Sequence, residues 1–309
     1  MEVVAAVIER PDGSFLLAQR PAGKVYAGYW EFPGGKVDSG EPLAAALARE
    51  LHEELGIEVE SARPWIVQTY AYPHATVRLN FFRVSAWHGD PHGKEAQRLA
   101  WQHVSCLDVA PLLPANAPVL RALRLPFEYA ITHAGEIGVA EQLRRLDARL
   151  AQGLRLIQVR EKGMQAAALE HFAAAVIAKA RPCGAHVLIN SDVELAQRVG
   201  AHGVHLTAAQ LMLLERTPAL GWCAASCHSA AELARAIELG VDFAVLGPVQ
   251  ATPSHPDSTP LGWEGFAAVV RGASLPVFAL GGMRPDDLES AWRCGAHGIA
   301  MVRGSWQGV

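Results

Sequence analysis

The segment Gly35–Ile57 reads GKVDSGEPLAAALARELHEELGI and predicts an amphipathic helix that begins at Pro42 and ends before Gly56. Its apolar stripe is expected to contain Ala44, Leu47, Ala48, Leu51 and Leu55. Three acidic side chains fall together on a neighbouring face of this helix, namely Glu50, Glu53 and Glu54. Like charges at this spacing repel each other, so the cluster indicates a bound cation.

The glutamate cluster suits a hard divalent cation, because Mg²⁺ and Mn²⁺ prefer oxygen ligands. These ions also bind substrate phosphates, which points to metal-assisted attack of water on phosphorus. The Gly34–Gly35 loop approaches the same region, and Arg49 can orient a carboxylate through a bidentate hydrogen bond. A solvated acidic helix face is the alternative for charge of this kind taken alone.

A longer pattern favours the site. Gly35, Glu41 and the run from Arg49 to Ile57 match every fixed position of G-x5-E-x7-R-E-U-x-E-E-x-G-U, where U is aliphatic. This pattern is the Nudix box, and the first half of the chain therefore resembles the Nudix hydrolases. The resemblance implies an α/β/α sandwich that hydrolyses a nucleoside diphosphate linked to another group.

Three further segments resemble the MutT-type 8-oxo-dGTP diphosphatases: WEFPGGKVDSGE (30–41), GDPHGKEAQ (89–97) and LPANAP (113–118). The resemblance implies release of a monophosphate and pyrophosphate, with Mg²⁺ or Mn²⁺ held by Glu50, Glu53, Glu54 and Glu95. One glutamate would handle the proton of the attacking water. Substrate contacts are implied for Arg20, Phe32, Gly34, Gly35, Lys36 and Asn116. Relatives can carry a basic residue where this chain has His74 and Ala75.

Asn116 carries the physical argument for oxidised guanine. Oxidation at C8 turns N7 into a donor, so an Asn amide can accept from N7–H while donating to O6. Unmodified guanine would leave the amide oxygen unpaired, and such mismatches discriminate strongly. The structural alternatives are that Asn116 is a helix N-cap and that Phe32 is an ordinary core residue.

From residue 127 onwards, strands alternate with helical segments and predict a parallel (βα)8 barrel of the TIM type. We therefore expect two domains, residues 1–125 and 127–309. Gly200, Gly240 and Gly295 each end a helix before a buried strand and are expected to be left-handed. After the eighth strand the chain offers no room for a last helix, so the outer face of that strand, with Ile299 and Met301, needs another cover. The first domain or a second subunit could provide it, and a dimer is therefore one expectation.

Gln158, Arg160 and Lys162 alternate along LIQVREKG and should face the mouth of the barrel, where two cations suit an anion. With YAITH (129–133), the segment from Ile189 to Leu206 and LGG (280–282), this half resembles thiamine-phosphate synthase and its thiazole-tautomerase relatives. The resemblance implies ligand contacts from Gln158, Arg160, Lys162, Asn190, Ser226, Gly281 and Gly282. His228 is either a general base or a cap, whereas Cys223 and Cys227 are expected in the core.

The synthase resemblance fails at its metal ligands. Where the synthase family has its first metal-binding Asp, this chain has Ser191, and Asp192 follows one residue later. Gln210 stands at the position of the second Asp, and His255 stands at the position of a Lys. Since pyrophosphate departure needs Mg²⁺, we expect the barrel to have lost the synthase reaction. The alternatives are a bifunctional hydrolase and synthase that takes a phosphorylated thiamine precursor, or a barrel that only binds a phosphorylated ligand.

The net charge, the apolar runs and the cysteine content limit which partners and compartments are expected. A net charge of −4 over 309 residues gives no attraction for duplex nucleic acid or for a membrane surface. No apolar run approaches a membrane-spanning length, and the start lacks the features of a signal peptide. Five cysteines without a paired pattern fit a reducing compartment, so a cytoplasmic enzyme is expected.

Overall fold

A computed structural model of the chain describes residues 1–73, 75–252 and 259–308. The chain divides into two compact units, Met1–Arg124 and Leu125–Val309. Within the described residues, no helix combines the length and the apolar character needed to cross a membrane.

The described residues of the first unit form six strands, two α-helices and a 3-10 turn, Pro114–Asn116. The strands are β1 (Glu2–Ile8), β2 (Phe15–Gln19), β3 (Trp30–Glu31), β4 (Glu58–Tyr72), β5 (Ala75–His88) and β6 (Leu99–Gln102). The helices are α1 (Leu43–Leu55) and α2 (Ala117–Ala122). One sheet has the order β1-β5-β4, with β1 parallel to β5, and the other is antiparallel with the order β3-β2-β6. The sequence did not reveal β3, because two residues are too few to show an alternating pattern.

The alternation of side chains along β1 creates two cores. Val4, Ala6 and Ile8 pack in a cluster with the leucines of α1, whereas Ala5 and Val7 belong to a cluster with Val119 and Leu120 of α2. A central strand covered on both faces is therefore apolar throughout. This arrangement confirms the α/β/α sandwich.

Helix α1 begins one residue later than its sequence suggests, with Pro42 as its N-cap, and Gly56 adopts the left-handed conformation after its end. Leu47, Leu51 and Leu55 form the buried stripe as expected. Ala44 and Ala48 are exposed and Ala46 is buried instead, so the expected stripe was wrong on these positions. Alanine is too short to mark the edge of a stripe that three leucines define.

The second unit is a closed parallel barrel. Its strands are β7 (Glu128–Ile131), β8 (Leu156–Val159), β9 (His186–Asn190), β10 (Gly203–Leu206), β11 (Trp222–Cys227), β12 (Phe243–Leu246), β13 (Val277–Leu280) and β14 (Gly298–Met301). They close in chain order, which confirms the (βα)8 fold. The helices are α3 (Ala134–Ile137), α4 (Val139–Ala151), α5 (Ala166–Ala180), α6 (Val193–Arg198), α7 (Ala208–Leu213), α8 (Ala230–Leu239), α9 (Gly262–Val270) and α10 (Leu288–Arg293). Gly200, Gly240 and Gly295 have φ values of 65°, 75° and 86°, as expected for left-handed residues that end helices.

The segment after β14 explains how the barrel is covered there. A short 3-10 turn, Gly304–Trp306, places the Trp306 side chain in the core with Ala130, Leu146 and Leu150. The Trp306 indole nitrogen donates to the carbonyl of Ile131 at 2.8 Å. Ile299 and Met301 lie in the layer between strands and helices, as expected. The expected covers were the other domain or a second subunit, whereas the cluster that buries Ile299 and Met301 consists of residues of the second unit itself and is separate from the cluster of Trp306.

Candidate functional site

Arg49 organises part of the glutamate cluster on α1. Its guanidinium donates to Glu50 at 2.9 Å and to Glu53 at 3.3 Å, and it binds Glu41 through Nε and Nη2 at 3.0 and 2.9 Å. A further bond runs from Nη2 to the carbonyl of Lys36 at 3.0 Å. Arg49 thus ties the helix to the preceding loop, and its bidentate partner is Glu41 rather than Glu50.

Glu54 has a different environment from the other two glutamates. Its carboxylate accepts a hydrogen bond from the backbone N–H of Gly34 at 3.3 Å. Burial raises the pKa of Glu54 to about 7, because the charged form loses hydration. Glu54 lines a small cleft together with Glu31, Glu95 and Lys24, and Lys24 binds Glu95 at 2.6 Å. The structure therefore brings Glu54 and Glu95 into one cleft, while Glu50 and Glu53 are held by Arg49.

Gly34 and Gly35 allow a close approach between the loop and the helix. A Cβ at Gly34 would lie 2.1 Å from the carbonyl oxygen of Val4, and Gly34 has φ of 145°. A Cβ at Gly35 would lie 2.0 Å from a carboxylate oxygen of Glu50. Side chains would push the loop away from the carboxylates, so the paired glycines are required here.

The late loop fixes the end of α1. The backbone N–H of Lys94 and the side-chain amide of Gln97 both donate to the carbonyl of Glu54 at 3.0 Å. A Cβ at Gly56 would meet the ring of His92 at 2.5 Å. These bonds satisfy the end of the helix and place Glu95 beside it.

The donor set of this site fits a hard divalent cation. All four candidate ligands are carboxylates, and the burial of one of them, Glu54, raises its pKa despite the opposing charge of Lys24. Within the described residues, no three His, Cys, Asp or Glu side chains are already gathered around a point that could hold a metal ion. Arg49 binds one carboxylate oxygen of Glu50 and one of Glu53, so the second oxygen of each could bind a cation while these bonds persist.

Asn116 and Phe32, both expected to contact the base, are buried and have different surroundings. Asn116 is 3% exposed, makes no capping bond and donates from its amide nitrogen to the carbonyl of Trp30 at 3.3 Å. Asn116 occupies the N-cap position of α2, as the structural alternative expected, but its φ and ψ are helical and its side chain does not cap the helix. Phe32 is 4% exposed and packs between Phe15 and Phe81, with ring centroids 5.7 Å from each. In this structure its ring belongs to the core.

Arg20 lies beside Glu31, and its Nη1 is 2.7 Å from both carboxylate oxygens. Burial raises the pKa of Glu31, while Arg20 opposes the shift. Lys36 is exposed. His74, noted as a departure from related sequences, lies outside the described residues.

In the second unit, one cavity of about 440 Å³ opens at the carboxyl ends of the strands. It is lined by every residue that the sequence had marked as a ligand contact, namely Gln158, Arg160, Lys162, Asn190, Ser226, His228, Gly281 and Gly282. Gln158 donates to the side-chain oxygen of Asn190 at 3.1 Å. The alternation of residues 158, 160 and 162 therefore correctly predicted which side chains reach the mouth.

The expected carboxylate positions of a synthase hold no carboxylate. Ser191 has φ of 61°, and Gln210 donates to its carbonyl at 2.7 Å. Asp192 points away, since it is the N-cap of α6 and accepts from the N–H of Leu195 at 2.8 Å. His255, the third departure, lies outside the described residues.

A buried chain of hydrogen bonds beneath the cavity was missed from the sequence. The Tyr129 hydroxyl lies 3.2 Å from Nδ1 of His205, and Nε2 of His205 lies 2.8 Å from the Ser226 hydroxyl. Burial, with a contribution from Arg160, lowers the pKa of His205 to about 3, so the ring is neutral. A polar residue on the inward face of the apolar strand GVHL was the available signal.

His228 and the cysteines occupy separate environments. His228 lines the cavity and lies 3.1 Å from Glu232, whereas the N-cap of α8 is Ser229. His228 is therefore not the cap. Cys223 and Cys227 are buried in the layer under the helices, as expected, and burial raises the pKa of both thiols to about 12. Such thiols are unreactive.

Comparisons with known proteins identify the family of each half. A NUDIX domain model matches residues 4–122, and a model described as thiamine monophosphate synthase matches residues 128–304. The chain belongs to both families. It is a Nudix hydrolase domain joined to a thiamine-phosphate-synthase-like barrel, as the motifs indicated.

Relatives of each half are similar over most of their own length. The Nudix half is 38% identical over 123 residues to the 8-oxo-dGTP diphosphatase of Haemophilus influenzae, which covers 40% of this chain and 90% of that protein. It is 43% identical over 122 residues to the CTP pyrophosphohydrolase of Escherichia coli, with coverage of 40% and 90%. The barrel is 34% identical over 176 residues to the thiamine-phosphate synthase of Herpetosiphon aurantiacus, with coverage of 56% and 85%.

Proposed function

We propose that the Nudix half hydrolyses 8-oxo-dGTP to 8-oxo-dGMP and pyrophosphate and so removes an oxidised nucleotide from the precursor pool. The observation that carries this proposal is the buried amide of Asn116. One hydrogen of its amide nitrogen is used by the carbonyl of Trp30, and the second can donate to O6 of the base. Its oxygen can then accept from N7–H, a donor that only the oxidised base provides.

Different residues hold the four candidate metal-binding carboxylates in place. Arg49 holds Glu50 and Glu53, the N–H of Gly34 holds Glu54, and Lys24 holds Glu95. Bound Mg²⁺ would screen the phosphate charges and acidify the attacking water. One of the glutamates accepts the proton from that water, and the loop of Gly34, Gly35 and Lys36 faces the phosphates. Arg20 lines the same cleft as Glu54, whereas Phe32 supports this side of the domain from the core.

Cytidine nucleotides are the second candidate substrate, because the Nudix half is also similar to a CTP pyrophosphohydrolase. The test is a turnover screen of the full chain with 8-oxo-dGTP, dGTP, CTP and dCTP in saturating Mg²⁺. We expect the highest kcat/KM with 8-oxo-dGTP. A higher value with CTP or dCTP would transfer the assignment to cytidine nucleotides and leave the hydrolase itself unaffected.

We propose that the barrel binds a small phosphorylated ligand and has lost thiamine phosphate synthesis. Support comes from the two cations, Arg160 and Lys162, at its mouth, and from Ser191 and Gln210 at the expected carboxylate positions. The alternatives are a bifunctional enzyme and a module that binds without turnover. Incubation with the two thiamine precursors and Mg²⁺ separates them: thiamine phosphate formation would establish the bifunctional enzyme.

A further inference from the structure

The cavity of the barrel is cationic, and the described residues that line it include no carboxylate. Arg160 and Lys162 reach it from alternate positions after β8, and neither takes part in a salt bridge among the described residues. The pKa of Lys162 is lowered, chiefly by the charge of Arg160. Two adjacent positive charges that repel each other would be stabilised by an anion.

The acidic residues next to these cations are committed elsewhere. Glu161 turns away from the cavity and accepts from the N–H groups of Ala134 and Gly135 at 2.7 and 2.9 Å. Asp192 caps α6 through the N–H of Leu195. Each of these bonds satisfies a backbone group, and neither carboxylate lines the cavity.

Gln210 closes the position that a metal-binding carboxylate would occupy. Its amide nitrogen donates to the carbonyl of Ser191 at 2.7 Å, and its amide oxygen accepts from the N–H of Thr207 at 3.0 Å. The Thr207 hydroxyl accepts in return from the N–H of Gln210 at 3.3 Å, which completes a capping box at the start of α7. Both ends of the Gln210 amide are therefore used within the protein.

The residues present do not fit the divalent cation that the synthase family implies. We propose that the barrel binds the dianion of a phosphate monoester without any metal, with Arg160 and Lys162 as its adjacent counter-charges and with Gln210 sealing the former metal position. Arg284 and Arg303 also line the cavity, and Arg303 is paired with Glu136. The two adjacent positive charges of Arg160 and Lys162 match the charge of a dianion. This inference rests on the proposed function of the barrel as a phosphorylated-ligand site.

The test is isothermal titration of the full chain with inorganic phosphate and with inorganic pyrophosphate at about pH 8, where phosphate is a dianion. Each titration is run in EDTA and in excess Mg²⁺. We expect phosphate to bind one site in EDTA and to bind no more tightly in Mg²⁺. Lys162→Ala and Arg160→Ala should each weaken binding by roughly ten- to a hundredfold, as expected for loss of a charged hydrogen bond. The matched control is Lys179→Ala, because Lys179 pairs with Asp147 on the outside of the barrel.

A second variant tests the role of Gln210 directly. Ser191→Asp/Gln210→Asp restores two carboxylates beside the cavity, and we expect it to bind phosphate at least about tenfold more weakly in EDTA and to recover affinity in Mg²⁺. Phosphate binding by the original chain only in Mg²⁺, or binding that Lys162→Ala leaves unchanged, would overturn the metal-free site. Absence of binding to either anion under every condition would remove the phosphorylated-ligand function as well, so the two failures are distinguishable.

Discussion

Replacing Trp306 with Ala should destabilise the barrel more than any surface change. Trp306 is 0% exposed, and its indole N–H donates to the carbonyl of Ile131. An aromatic side chain of this size buries roughly 200 Å², worth about 5 kcal/mol at 25 cal/mol per Å². Measured Trp or Phe to Ala changes cost about 3–5 kcal/mol. We therefore expect the free energy of unfolding of the barrel to fall by about 4 kcal/mol.

The assay must separate the two units, because a chain with two compact units need not unfold in one transition. Scanning calorimetry combined with hydrogen exchange assigns the transition that belongs to the barrel. Each kcal/mol should lower the Tm of a unit of this size by about 2–4 °C, so a shift of about 8–16 °C is expected. Peptides from β7 and α4 should lose protection first, since Trp306 packs against both.

Trp306→Phe is the matched variant, since it keeps most of the apolar area and removes the hydrogen bond. We expect it to cost about 1–2 kcal/mol. A loss below about 1 kcal/mol for Trp306→Ala would refute the reasoning, because it would mean that burial of Trp306 beside β7 and α4 contributes little to the stability of the barrel.

Three other predictions concern the two sites. Glu53→Gln should abolish most Nudix turnover at saturating Mg²⁺ without changing the Tm. The control is Glu58→Gln, which changes an exposed glutamate outside the cluster and should leave kcat unaltered. Near-normal turnover of Glu53→Gln would contradict the metal site. Asn116→Ala should reduce kcat/KM for 8-oxo-dGTP far more than kcat/KM for dGTP. Because a buried hydrogen-bonding partner is lost, we expect the preference for 8-oxo-dGTP to fall by roughly tenfold or more. Equal losses for the two substrates would show that Asn116 is only a scaffold residue. In the folded barrel His205 has a pKa of about 3, below its unfolded value near 6.5. The unfolded chain therefore binds a proton that the folded chain does not bind between these pH values. The stability of the barrel should decline as pH falls from about 6.5 towards 3. His205→Gln should flatten that decline in denaturant titrations at several pH values, and an unchanged slope would argue that other groups cause it.

Elements with a local pattern were predictable from the sequence. The leucines of α1 and its three glutamates follow from one helical period, and the position of Gly56 follows from the end of that period. The eight barrel strands are short apolar runs separated by helices, and alternation correctly placed Gln158, Arg160 and Lys162 in the cavity. In each case the relevant residues lie within a few positions of one another, so backbone geometry alone decides which face they share.

The remaining features depend on residues that are distant in the sequence. Trp306 reaches the carbonyl of Ile131 across 175 positions, and no local period indicates that an indole would take the place of a covering helix. His205 becomes neutral because the closed barrel buries it between Tyr129 and Ser226. The sequence by itself determined both families, both folds and the chemical types of the two sites. Only the tertiary structure decided which polar groups satisfy one another, because burial and long-range hydrogen bonding exist only once the strands have closed.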